Sequence, residues 1–276
     1  MKIKSFSKIN LTLRVLNKLS DGMHNIETNS TLVNLSDEIN IKRNKKDVIT
    51  FSGKFKNQVN LKKNTVKDTL MLLKKNKIIK NFYKVRIKKN IPVYAGLGGG
   101  TSNSFSIVSH FINNKFNEKI IRIFEQKIGS DFRLFLNKNS FQKKLKKVFK
   151  TNNSINSFIL IVFPYINCKT KKIYKMVKNY SLPSCNNYTK NMKREKFIST
   201  LKKDHNDLQK VVEKKYPRIS RLVLSIDRQE GCIFSRMTGS GSACYGVFKS
   251  KKTAKIAITK LKREYPKYWC VITKTI

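Results

Sequence analysis

The sequence predicts an α+β protein of two domains, and three observations carry that expectation. Stretches that alternate like strands are interleaved with stretches of helical spacing, without an internal repeat. The 276 residues suit two domains of ordinary size, and a hydrophobic fraction of 39% provides a substantial core. A lysine-rich, poorly patterned run from Phe141 to Asn156 separates the halves, placing the domains at 1–154 and 155–276.

Lys2 to Leu16 alternates loosely and reads as a strand or strand pair. Asp21-Gly22 signals a hairpin turn, after which Ile26 to Leu35 resumes as strand. Ser36-Asp37 is read as a turn into a further strand near Glu38 to Lys42, and the polar stretch around Gly53 as another hairpin. Thr65 to Lys75 carries a helical stripe of Val66, Leu70, Leu72 and Leu73, with Asn64 at its N-cap. Val85 to Lys88 alternates as strand and leads into Pro92 to Ser104, PVYAGLGGGTSNS, which opens a helix from about Thr101 to Phe111. A second helix, Glu118 to Lys127, stops at Gly129, and Ser130-Asp131-Phe132 follows.

The second half opens with an apolar strand, Phe158 to Phe163, halted by Pro164. Helices are expected over Thr170 to Lys178, His205 to Lys215 and Ile219 to Ser225, with Ser181 to Lys190 a loop. A second glycine loop, Met237 to Ala243, lies between short strands at Cys232 to Arg236 and Cys244 to Phe248. A helix over Thr253 to Arg263 and a strand over Trp269 to Thr273 complete the chain.

The first glycine loop is the chemical landmark. Gly96, Gly98, Gly99 and Gly100 fall within five positions of a chain otherwise poor in glycine. Such a loop turns tightly and admits a ligand close to its backbone. The N–H groups of the following helical turn then favour an anion, and a phosphate is the natural occupant. Thr101 and Ser102 add hydroxyls there. No lysine follows Gly100, as a Walker A loop requires, and Thr101 breaks the dinucleotide fingerprint. A turn that binds nothing is the competing reading.

The formal charge of +44 suggests nucleic acid at first sight. The lysines, however, are spread along the whole chain and far outnumber arginines. Lys, Asn, Ile and Phe are over-used together, as A/T-rich coding would produce. Weak, salt-sensitive adhesion to polyanions is expected; specific nucleic-acid binding is not. There is no membrane-spanning apolar run, and the start, MKIKSFSKIN, lacks a signal-peptide core. Five cysteines (Cys168, Cys185, Cys232, Cys244, Cys270) without a C-x-x-C pair read as reduced thiols in the cytoplasm.

In order, Ser-Lys-Ile-Asn-Leu at 7–11, Asp-Gly-Met-His at 21–24, Gly-Leu-Gly-Gly-Gly-Thr-Ser-Asn at 96–103, Gly-Ser-Asp at 129–131, Asn-Asp-Leu at 206–208 and Thr-Gly-Ser-Gly-Ser at 238–242 resemble the GHMP kinase superfamily over nearly the whole chain. Lys8-x-Asn10 followed by Asp21-Gly22-x-His24 resembles its branch acting on a cytidine-diphosphate-linked methylerythritol, in non-mevalonate isoprenoid synthesis. Homoserine and mevalonate kinases are the other branches considered, and a basic RNA-binding protein on the same fold is an alternative from outside the enzymes. The resemblance implies a ribosomal protein S5 domain 2-like N-terminal domain and an α/β-plait C-terminal domain. It implies ATP and Mg²⁺, Asp131 as base and Lys8 beside it. The phosphates would lie along Pro92, Ala95, Gly96, Leu97, Gly98, Gly99, Gly100, Thr101 and Ser102, with Asn64 and Lys89 near the nucleotide and Ser102 the candidate metal ligand. Asn10, His24, Thr170, Tyr174, Gly239, Ser240 and Gly241 would meet the substrate, with His24 on the cytosine edge and Tyr174 stacked on the ring. Bland roles compete: Asp131 as a cap, Asn64 as an N-cap only, Tyr174 as core. The chain departs from the pattern at four places: Met23 for a stacking tyrosine, Arg133 for a proline, 137–151 for a glycine-containing strand pair, and, conservatively, Thr101 for a serine.

Overall fold

The computed structural model describes residues 2–145, 147–184 and 187–276. Cys185 lies outside the described residues. The chain forms two compact units built from interleaved segments: 1–8, 35–93 and 98–136 in the first, and 9–34, 94–97 and 137–276 in the second.

In the first unit β3 (His24–Asn44) contributes its second half, which pairs antiparallel with β5 (Phe82–Lys88). β4 (Val48–Ser52) pairs with β5 in parallel. The hairpin expected at Gly53 is therefore absent. Parallel neighbours need a crossover, and α1 (Thr65–Lys75) lies in it, begun by Asn64, whose side chain accepts from the Lys67 N–H. The turn expected at Ser36-Asp37 is also absent, because β3 runs through it. Asp37 is a buried strand residue in phase with Leu35 and Ile39. Three elements follow: α2 (Gly99–Phe111), α3 (Glu118–Ile128) and a 3₁₀ turn over Ser130–Leu136. Val66, Leu70, Leu73, Val85, Ile87, Ile107, Phe124 and Phe132 close the core.

In the second unit the first half of β3 pairs with β2 (Arg14–Lys18) and with β6 (Asn139–Lys144), which pairs with β7 (Lys147–Lys150). The lysine-rich stretch that replaces the expected glycine-containing pair thus still forms a strand pair. Ser140 and Gln142 turn inward while lysines face water, so alternation rather than glycine sustains it. The remainder is an antiparallel sheet in the order β11 (Trp269–Lys274), β8 (Phe158–Phe163), β10 (Cys244–Phe248), β9 (Cys232–Met237). Among the described residues five α-helices accompany it: α4 (Thr170–Lys175), α5 (Arg194–Lys203), α6 (Asp207–Lys215), α7 (Pro217–Asp227) and α8 (Lys251–Glu264). α5 has no counterpart in the sequence reading. Leu160, Val162, Leu208, Val212, Leu222, Ile226, Ala257 and Leu261 share its core.

Candidate active site

In the first unit, Lys8 and Asp131 meet. The Lys8 ammonium lies 3.0 Å from Asp131 Oδ2; the lysine is 4% exposed and the aspartate 33%. A buried ammonium holding an accessible carboxylate keeps one oxygen in place and leaves the group open to a ligand.

That pair lies against the start of α2. Gly98 is left-handed at φ +70° and no side chain caps the helix. A Cβ at Gly98 would stand 3.0 Å from Phe135 Cζ and 3.1 Å from Lys8 Cγ. At Gly99 it would meet Ile91 at 2.9 Å. The glycines thus let the helix start settle over the lysine stem, with its N-terminal amides presented to an anion. Thr65 Oγ1 donates to the Gly100 carbonyl at 3.0 Å, fixing the turn from outside. Gly98→Ala is expected to lower both ATP affinity and kcat, each by roughly tenfold, because left-handed strain of about 1–2 kcal/mol adds to the displacement of Lys8. Nucleotide titration and steady-state kinetics check this.

The turn bearing Asp131 is clamped to α3. Arg133 donates to Glu118 (2.6 and 2.9 Å) and to Glu125 (2.9 and 3.1 Å). Hydrogen bonds to Glu118 and then Glu125 push its pKa further up. Where the pattern has a stiff proline, this chain has a two-carboxylate clamp.

Three assigned residues turn elsewhere. Ser102 is 1% exposed, and its hydroxyl engages Ser5 Oγ at 2.7 Å and the Phe6 carbonyl at 2.5 Å. It faces the interior rather than the loop, which argues against it as the metal ligand. The Lys89 ammonium is paired with Asp37, whose other oxygen accepts from the N–H groups of Asn90 (2.7 Å) and Ile91 (2.9 Å). Lys89 lies behind the first turn of α2, its Nζ 3.5 Å from where a Gly99 Cβ would be. Asn64 spends its side chain on capping α1.

The second unit holds the other residues. Ala95 and Gly96 lie against the second glycine loop: the Ala243 N–H donates to the Ala95 carbonyl, and a Cβ at Gly96 would stand 2.1 Å from the Thr238 carbonyl; Leu97 is buried. The Asn10 N–H donates to Thr238 Oγ1 at 3.0 Å and its side chain donates to Thr28 at 2.9 Å. Gly239 is close enough that a Cβ would lie 3.3 Å from Asn10 Oδ1. Thr170 and Ser240 share a hydroxyl contact of 2.9 Å. Asn206 donates to the carbonyls of Met237 and Gly239 and so pins the loop that carries Ser240 and Gly241. His24 lies 5.2 Å from the Tyr174 ring. Burial first, then the Lys18 ammonium, holds its pKa below the ordinary histidine value. Among the described residues no group of three His, Cys, Asp or Glu could hold a metal, and no helix is long and apolar enough to cross a membrane.

Sequence reasoning missed Asp37 and the role of Arg133, and of these only Asp37 left a signal, in its inward phase between Leu35 and Ile39. Asn206 is expected from the sequence to fix local structure, and its two hydrogen bonds to the second glycine loop are that role.

A family model described as GHMP kinases C terminal matches residues 190–267. Solved structures agree on the fold. A 4-(cytidine 5'-diphospho)-2C-methyl-D-erythritol kinase superposes with a TM-score of 0.77 at 18% identity, covering 99% of each chain. A mevalonate kinase gives 0.69 at 18% identity, covering 100% of this chain and 99% of that one. The two-part α+β architecture is that of the GHMP kinases. Curated relatives narrow it further. A 4-diphosphocytidyl-2-C-methyl-D-erythritol kinase of Pelagibacter ubique is 35% identical over 283 residues, spanning 100% of this chain and 99% of its own. One from Caldicellulosiruptor bescii is 30% identical over 276 residues, spanning 95% and 94%. The chain belongs to the 4-diphosphocytidyl-2-C-methyl-D-erythritol kinase family.

Proposed function

We propose that this chain transfers the γ-phosphoryl group of ATP to a hydroxyl of 4-diphosphocytidyl-2-C-methyl-D-erythritol, giving the 2-phosphate and ADP. The observation that carries the reading is the Lys8–Asp131 pair beside the uncapped, glycine-built start of α2. Phosphoryl transfer asks chiefly for placement and charge neutralisation. Gly98, Gly99, Gly100 and Thr101 hold the phosphates by their amides. Asp131 accepts the hydroxyl proton as the oxygen–phosphorus bond forms. Lys8 holds that carboxylate and lowers the cost of the alkoxide character developing beside it. Arg133 keeps the Asp131 turn in place. His24 and Tyr174 receive the cytosine, and the loop over Gly239, Ser240 and Gly241, with Asn10 and Thr170, the remainder of the acceptor.

Mg²⁺ fits this donor set. The ion keeps waters and takes most of its charge from substrate phosphates, needing one or two protein oxygens. The Thr101 hydroxyl, which lies 3.5 Å from where a Gly129 Cβ would be, is the group beside the loop that would supply such an oxygen, Asp131 being engaged with Lys8 and the acceptor hydroxyl. When bound, the ion neutralises phosphate charge. We place the chain's functional halves at 1–154 and 155–276, and the reaction in the cytoplasm.

ATP consumption by the purified chain with the cytidine-diphosphate-linked methylerythritol, homoserine and mevalonate as parallel acceptors tests the reading. Turnover with the first alone is expected. Turnover with either other acceptor, or with none, overturns it.

A further inference from the structure

We infer that Tyr180 is a nucleobase-stacking residue, held beside His24 by hydrogen bonds that anchor the residues following it, and that it determines affinity for the cytidine group. The inference rests on the substrate class proposed above.

Tyr180 lies between the helix expected to end at Lys178 and the loop expected from Ser181. Its ring centroid is 6.4 Å from that of His24, and the residue is 46% exposed. The backbone beneath it is firmly tied. The Ser181 N–H donates to the Val15 carbonyl at 2.9 Å, and Ser181 Oγ donates to Asp207 Oδ1 at 2.9 Å. Arg14 donates to the Leu182 carbonyl at 3.2 Å while its guanidinium pairs with Asp204 at 2.9 Å. The N–H and hydroxyl of Ser184 both donate to Glu27, at 2.8 and 2.5 Å. An aromatic ring left open to water on an anchored backbone is preorganised: little freedom remains to be lost when a flat ligand stacks on it.

The neighbours define the ligand. His24 is buried, and its lowered pKa keeps it neutral at pH 7, with one ring nitrogen donating and the other accepting. Tyr174 packs against the unit's core as well as against His24. Met23, next in the chain, is 42% exposed and offers only a thioether. The site thus combines a neutral edge reader with aromatic faces, the chemistry of a nucleobase. Tyr180 supplies the open face that position 23 lacks.

Binding of cytidine diphosphate, measured by calorimetric titration on the full chain, tests this. Tyr180→Ala is expected to weaken it about tenfold and Tyr180→Phe by less than about twofold, the scale of base–aromatic stacking, with ATP affinity unchanged in both. If Tyr180→Ala binds as the wild type does, or Tyr180→Phe loses as much as Tyr180→Ala, the stacking role is overturned while the substrate reading stands. If the wild-type chain does not bind cytidine diphosphate, both fall.

Discussion

Asp131→Asn is expected to reduce kcat by roughly a hundred- to ten-thousand-fold, the contribution of a positioned general base, while ATP affinity changes little. Asparagine keeps the shape of the side chain and an oxygen toward Lys8, so the geometry of the 3₁₀ turn survives. It removes the proton acceptor and the charge. Arg133 does not depend on Asp131, since its partners are Glu118 and Glu125 on α3. Loss of turnover with an intact fold and intact ATP binding would therefore report on chemistry alone. The measurement is kcat and KM for both substrates, with an equilibrium ATP titration on the same preparation. Turnover within a few-fold of wild type would remove Asp131 from the base role and leave Lys8 as the principal group of the pair.

How far this was legible in the sequence varies with the kind of interaction. Asn64 to Lys75, Gly96 to Phe111 and Phe158 to Phe163 were readable because caps, glycine clusters and apolar runs act over a few residues. The partnership of Lys8 with Asp131 spans most of the first unit, and only the resemblance to GHMP kinases anticipated it. Gly53 misled because a glycine after a strand says nothing about which strand will be its neighbour; α1 makes the crossover, and β4 pairs in parallel. Ser36-Asp37 misled for a different reason. Ser-Asp favours turns locally, but at position 37 tertiary burial against Lys89 and two backbone amides outweighs that preference. Tyr180 could not be read at all. Its neighbours in the chain are unremarkable, and its meaning comes from Ser181, Ser184 and the acids on distant segments that hold them.

Lys89→Met is expected to destabilise the chain by about 3–5 kcal/mol, the cost of stranding a buried charge whose partner has been removed. Lys89 is 3% exposed and Asp37 is wholly buried. The Asn90 and Ile91 amides would still donate to Asp37, but they carry partial charges and cannot replace an ammonium. The test is the urea midpoint of the variant against that of Asp37→Asn and of the double variant. If the pair is structural, each single change costs more than the double one, because the double leaves no lone buried charge. This separates two roles for Lys89. A lysine that served the nucleotide directly would lose ATP affinity on replacement and keep its folding stability. A lysine locked to Asp37 behind the first turn of α2 would lose stability first, and lose ATP affinity only as the seat of Gly99 against Ile91 loosens. A variant of unchanged midpoint and weakened ATP binding would return Lys89 to the nucleotide. The reverse outcome would make Lys89–Asp37 the internal prop of the phosphate loop.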